Sequence, residues 1–148
     1  MPGADAKCQG LVEAAGVPGT HKAWLADQYG SPAAGFARSA TPYQLVDGTI
    51  VANDWADLTS GNLRHAIDRD ESGGPQQTSH VWSNADTAGQ PIAPGNTFGD
   101  CLNWSFNDDT YEGLAGHSSA TDDKWTEGDV GGCFGSLRLY CFQQPAAV

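Results

Sequence analysis

The sequence predicts a single α+β domain, rich in loops and held at its ends by cysteines. Three observations carry that expectation. A helical pattern near the N-terminus carries Cys8, and an alternating, strand-like segment near the C-terminus carries Cys141. An Asp47-Gly48 pair stands between Tyr43-Gln44-Leu45-Val46 and Thr49-Ile50-Val51, and Asp-Gly suits the positive-φ turn of a tight hairpin. Composition is the third: 19 glycines and 8 prolines imply many turns, while 39% hydrophobics and 5 tryptophans supply a core that disordered chains lack. At 148 residues the chain has the length of one domain. No repeat or linker divides it, so residues 1–148 read as one unit.

The elements follow in order. Ala4, Cys8, Leu11, Val12 and Ala15 recur at helical spacing, and Gly16 with Pro18 supplies the stop. His21-Lys22-Ala23-Trp24-Leu25-Ala26 reads as a first strand, followed by small residues through Ala40 and then the hairpin. Asn53 or Asp54 caps a short helix through Trp55 and Leu58 that closes near Gly61. Residues 62–99 read as polar loop interrupted by strands at 64–67 and 80–82. Residues 101–106 read as a strand, 107–132 as loop and 136–142 as the closing strand. Long loops on a stapled scaffold are where binding function concentrates.

Seven Lys and Arg against 18 Asp and Glu give a formal net charge of −11. Nucleic acid, heparin and anionic membranes all call for cationic patches. The basic residues here, Lys7, Lys22, Arg38, Arg64, Arg69, Lys124 and Arg138, are scattered along the chain, and no apolar run is long enough for membrane insertion. These partners are therefore not expected. The four cysteines, Cys8, Cys101, Cys133 and Cys141, include no Cys-x-x-Cys pair of the metal-binding kind. Disulfides are the favoured reading, in an oxidising compartment such as the cell exterior, although spacing does not choose among the three possible pairings. The chain opens almost directly on its first element without a signal peptide, which reads as a piece of a longer exported protein.

Several blocks taken together resemble the endostatin domain of collagens XV and XVIII. They are Gly3-Ala4-Asp5, Cys8, Ala15-Gly16-Val17-Pro18-Gly19-Thr20 and Lys22-Ala23-Trp24-Leu25, then Asp54-Trp55-Ala56-Asp57-Leu58 with Ser60-Gly61. Val81-Trp82 with Asn84-Ala85-Asp86, Cys101 with Trp104, Gly116-His117-Ser118-Ser119-Ala120, Cys133 and the segment from Leu137 to Cys141 continue the series in the same order. The resemblance covers essentially the whole chain, and this Ala- and Gly-rich version is closer to similar modules of bacterial surface proteins. It implies a C-type-lectin-like fold, a twisted and mostly antiparallel sheet with two flanking helices and adjacent termini. It also implies nested disulfides, Cys8–Cys141 and Cys101–Cys133, each contributing about 3–4 kcal/mol by constraining the unfolded chain. Endostatin's zinc site draws on histidines at its extreme N-terminus, where this chain has Met1-Pro2-Gly3, and its heparin binding uses clustered arginines that are absent here. Neither property carries over, nor does activity in angiogenesis.

No enzyme signature is present. His21, His65, His80 and His117 form no His-Glu-x-x-His or other closely spaced pair, and there is no Gly-x-Ser-x-Gly elbow. The domain is therefore read as non-catalytic. Calcium is the one cofactor the sequence brings into question. Asp68, Asp70 and Ser72 place oxygen donors at alternate positions before Gly73, a spacing that converges on a hard cation. The closing Glu of an EF-hand is missing, with Ser79 in its place, and the Glu-Pro-Asn and Trp-Asn-Asp motifs of sugar-coordinating lectins are absent. Solvated acidic loops are the competing reading.

The second acidic stretch contains Asp108, Asp109, Asp122 and Asp123, with Tyr111, Lys124 and Trp125 among them. Aromatic faces stack on sugar rings or anchor protein partners while polar neighbours fix orientation. These seven residues are the candidate ligand contacts, although Trp125 could equally close the loop onto the core. Trp24, Trp55, Trp82 and Trp104 are expected to pack. The expectation is an extracellular recognition or adhesion domain that binds a cell-surface glycan or protein through residues 62–74 and 107–132. A bacterial surface fibre, with the domain at its tip in a homotrimeric parent, is the setting this suggests. The alternative is a structural cap of an exported protein with no ligand of its own.

Overall fold

The computed structural model describes residues 2–76, 79–93, 99–105, 110–133 and 137–145. Its first half contains α1 (Pro2–Ala14), β1 (His21–Ala23), α2 (Pro32–Gly35), β2 (Tyr43–Gln44), β3 (Ile50–Ala52) and α3 (Trp55–Leu58). The second half contains β4 (His80–Trp82), α4 (Cys101–Trp104), β5 (Glu112–His117), a 3-10 turn (Asp123–Trp125), β6 (Asp129–Gly132) and β7 (Cys141–Gln143). All strand pairings between these elements are antiparallel: β1 with β7, β2 with β3, and β4–β5–β6. The result is an α+β fold of short strands and few helices, stapled by two disulfides.

α1 stops for a physical reason visible in the sequence. Gly16 takes φ +75°, Val17 N donates to Val12 O at 2.8 Å and Gly16 N to Glu13 O at 3.0 Å. This Schellman cap requires a left-handed residue, the conformation glycine adopts without steric cost. Two polar side chains then latch the helix to β1. Asp5 Oδ1 accepts from Ala23 N at 2.9 Å, and Gln9 Oε1 accepts from His21 N at 2.8 Å. Ala23 lies opposite Cys141 in β7, and Cys8 of α1 bonds to Cys141 with a Cα–Cα distance of 5.5 Å. The two ends of the described chain are thereby tied together. Cys101–Cys133 is the second bridge, so the pairing is the nested one.

The hairpin turns at Asp47-Gly48, with Gly48 at φ +92°. Asp54 is the cap of α3, its Oδ1 accepting from Asp57 N at 2.8 Å, while Asp57 Oδ2 accepts from Asn53 N at 2.8 Å. Asp57 thus reaches back past the cap to the preceding residue, a variant of the capping box displaced by one position.

Segment 137–145 joins two of the small sheets. Arg138 bridges in parallel to Val81, Trp82 N donates to Arg138 O at 3.0 Å, and Trp24 N donates to Tyr140 O at 2.8 Å. The core is centred on Trp24, fully buried and in ring contact with Phe36, Trp55, Trp125 and Phe142 at centroid distances of 5.8, 6.1, 4.8 and 5.7 Å. Its indole N–H donates to Thr126 Oγ1 at 2.8 Å, which in turn donates to Ala85 O at 2.8 Å, so the polar groups of Trp24 and Thr126 are satisfied inside the core. A smaller cluster of Cys8, Ala23 and Leu25 packs with Trp82 and Trp104. Trp24, Trp55, Trp82 and Trp104 all pack, as their positions on predicted elements suggested.

Four expectations need correction. Residues 64–67 form no strand, because Leu63 and Arg64 send their backbone N–H groups to Thr121 O and Val51 O rather than to one ladder. The strand expected at 101–106 is instead a helical turn through Trp104 whose residues Cys101, Leu102, Asn103 and Trp104 all have φ between 52° and 59°. Such left-handed backbone costs roughly 1–2 kcal/mol per residue. It is offset here by tertiary ties: the disulfide at Cys101, Asp100 Oδ1 accepting from Asn103 N, and Trp104 Nε1 donating to Ala26 O at 3.0 Å. The presumed loop 107–132 contains two strands, β5 and β6, and the 3-10 turn. The small-residue stretch before the hairpin holds a helical turn, α2, capped by the Ser31 side chain with Pro32 in its first turn.

Candidate functional site

The two loops singled out from the sequence meet. Leu63 N donates to Thr121 O at 2.6 Å, and Ser79 N donates to Ser118 Oγ at 3.0 Å. Within the first loop Asp70 is occupied by its own turn. Its Oδ1 accepts from Gly74 N at 2.7 Å and Ser72 N at 3.0 Å, and its Oδ2 from Gln76 Nε2 at 3.3 Å. The Gly74 N–H is the main reason the Asp70 carboxyl is held below the usual carboxylate range. Ser72 thus contributes its backbone to Asp70, while Asp68 Oδ1 is buried without a hydrogen-bond partner among the described residues, 3.8 Å from His65 Nδ1, which faces Ala66 O at 2.8 Å. In the alternate spacing of Asp68, Asp70 and Ser72, Asp70 holds a turn through its carboxylate.

Among the seven candidate contacts, Asp122, Asp123 and Lys124 are exposed on the 3-10 turn, and Tyr111 is half-buried beside Cys133, whose N–H donates to the Tyr111 carbonyl. Asp108 and Asp109 lie outside the described residues. Trp125 is fully buried, in tilted ring contact with Trp24 at 4.8 Å and Tyr140 at 5.6 Å between centroids. It presents no face to a ligand, so the packing role is the one it takes. Tyr140 donates its hydroxyl to Trp125 O at 2.9 Å, and burial pushes the Tyr140 phenol far up.

A concavity lies elsewhere among the described residues. A groove of about 1180 Å³ is walled by Leu11 and Val12 of α1, by Val46 at the hairpin turn, by Arg69 and Asp70 of the first loop, and by Arg138 on segment 137–145. Leu11 and Val46 are each 50% exposed at its walls. Lys7, Arg69 and Arg138 line it together with the carboxylates Asp70 and Glu71, so the groove carries both signs of charge. His21 also lines the groove, but burial holds its imidazole below the usual range and its Nδ1 faces Gly19 O at 3.4 Å. It acts as a strand residue.

A second arrangement has no local sequence signal. On β4–β5–β6, His80 and His117 are direct cross-strand partners, and Asp129 lies opposite Ala115, two residues along β5 from His117. Side chains two apart share a face of a strand, so all three project from the same side. Asp129 Oδ2 lies 2.8 Å from His117 Nε2 and 3.6 Å from His80 Nε2, and the two imidazole centroids are 4.7 Å apart. The other end of this face is closed by Trp82 and by the Cys101 sulfur, both against Gly113. The histidines are 37 positions apart in the chain, and only the register of the sheet brings them together.

Among the described residues, no helix is long and apolar enough to cross a membrane. Compared with known proteins, the chain matches no family model, and no curated protein matches it significantly.

Proposed function

We propose that this is a non-catalytic, extracellular recognition domain of the endostatin-like branch of C-type-lectin-like folds, taking a cell-surface glycan or protein segment into the groove between α1 and the β2–β3 hairpin. The groove itself carries this reading. It combines exposed aliphatic walls at Leu11 and Val46 with the cations Lys7, Arg69 and Arg138. An apolar concavity with a few polar groups set into it is the usual form of a ligand site. The two disulfides fit an oxidising compartment. The endostatin-like reading is supported by a helix that carries Cys8 against the strand of Cys141, by the nested bridges and by the antiparallel pairing of all named strands. The groove shifts the proposed face away from Trp125 and towards segment 137–145, keeping Arg69 and Asp70 from the first loop.

Binding to a broad microbial glycan array, with calcium and with chelator, tests the reading. Selective binding to a few related glycans is the expected result, with calcium dispensable because Asp70 is already engaged by its own turn. A blank array in both conditions, together with no binding to intact bacterial cells, would favour a structural cap of an exported protein.

A further inference from the structure

We infer that His80, His117 and Asp129 form a binding site for a divalent transition metal of the zinc class on the exposed end of the β4–β5–β6 sheet. Among the described residues, this is the one group of three His, Cys, Asp or Glu side chains whose ligand atoms all lie within 4.8 Å of one another. The donor set is two imidazoles and one carboxylate. Imidazole nitrogen suits zinc, copper and nickel, whereas calcium and magnesium take oxygen. The calcium expected from the acidic loops would not select this site.

The geometry is close to what a tetrahedral ion requires. Metal–nitrogen and metal–oxygen bonds of about 2.0–2.2 Å place neighbouring donors roughly 3.3 Å apart in such a shell. The observed separations to Asp129 Oδ2, 2.8 and 3.6 Å, bracket that value. The three ligand atoms all lie within 4.8 Å of one another, and the His80 side chain, 45% exposed, has room to adjust. Three protein ligands leave one position for water or for an atom of a bound partner, as open zinc sites do.

The site is also preorganised. Its ligands come from three hydrogen-bonded strands, so ordering them needs no loop to close. The His117 ring lies over the backbone at Gly128, where a Cβ would come within 2.5 Å of His117 Cδ2. Gly128 N donates to Ala115 O at 2.9 Å, which fixes the approach of β6 to β5 and with it the position of Asp129. Without an ion the same three groups make only exposed side-chain contacts, worth little in stability. The experiment must therefore read the metal itself.

Zinc is titrated calorimetrically into the chelator-stripped domain, alongside the His80→Ala/His117→Ala double variant and Asp129→Asn. All three side chains are at least 31% exposed, so the variants should keep the melting temperature of the metal-free wild type. The expected result is one zinc per wild-type chain, a higher melting temperature at saturation, and affinity reduced more than about tenfold in each variant, since even outer-shell losses at metal sites cost that much. Imidazole resonances of the wild type provide a readout independent of folding in the variants. Zinc should move those of His80 and His117 and leave His21 and His65 in place. No zinc uptake by the wild type, unchanged affinity in the double variant, or shifts confined to His21 and His65 would overturn the site. None of these readouts depends on whether the groove binds a glycan.

Discussion

At Gly116 the backbone of β5 runs directly against the Trp125 carbonyl, and any Cβ added there would occupy the place of that oxygen. Glycine inside a strand often marks such a close approach. Gly116→Ala should therefore destabilise the domain by about 3 kcal/mol or more, through overpacking that the neighbouring backbone cannot relax. Trp125 itself should behave in two ways. Trp125→Ala should cost about 3–5 kcal/mol, as expected for a fully buried indole. Trp125→Phe should cost much less, because the Trp125 indole N–H has no hydrogen-bond partner among the described residues and losing an unsatisfied donor is not itself destabilising. Denaturant melts of both variants check the pair, and equal losses would contradict the packing account. At Asp57 the Asn53 N–H, then Arg64 at 2.7 Å, hold the carboxyl below its usual value of 3.8. A depressed folded value contributes stability above the unfolded pKa and loses it as pH falls through the folded one. The melting-temperature gap between wild type and Asp57→Asn should therefore be present at pH 7 and shrink below about pH 4.

The elements legible in the sequence are those whose cause is local. α1 is marked by spacing and by Gly16, the hairpin by Asp47-Gly48, and α3 by Asp54 and Asp57 as its capping pair. β5 and β6 carry no such mark. Glu112-Gly113-Leu114-Ala115-Gly116-His117 and Asp129-Val130-Gly131-Gly132 hold four glycines and a single β-branched residue, and propensity reads them as loop. β5 is a strand because β4 and β6 close on its two sides and because its glycines admit the Trp82 ring at Gly113 and the Trp125 backbone at Gly116, and β6 is one because it pairs with β5. The turn at α4 is likewise invisible in the sequence, since its left-handed backbone is held by the disulfide and by Asp100. α2 did have a local signal, Ser31 followed by Pro32, within a stretch that otherwise reads as small residues. The same division holds for the candidate site: Asp70 can be read from its turn, whereas the His80–His117 pairing exists only once the strands are in register.

At the scale of the molecule, segment 137–145 hydrogen-bonds two of the three short-stranded sheets together and packs on the β2–β3 hairpin through Phe142 against Tyr43, and two bridges pin the whole. The outer bridge spans 133 positions, so its removal releases nearly the whole chain and should cost about 3–5 kcal/mol. Cys8→Ala/Cys141→Ala should lower the melting temperature more than Cys101→Ala/Cys133→Ala, whose bridge spans 32 positions. The reverse order would show that the inner bridge, by holding the left-handed turn, dominates. The groove is a property of this scale as well: its walls come from α1, the hairpin, the first loop and segment 137–145, which no window of sequence contains together. The most direct test of the central claim compares wild type with a Leu11→Asp/Val46→Asp variant on the same glycan array and on bacterial cells. Both substituted positions are half-exposed at the groove walls, so the variant should melt close to the wild type while losing its selective binding. Undiminished binding in the folded variant would show that recognition, if any, does not use this groove.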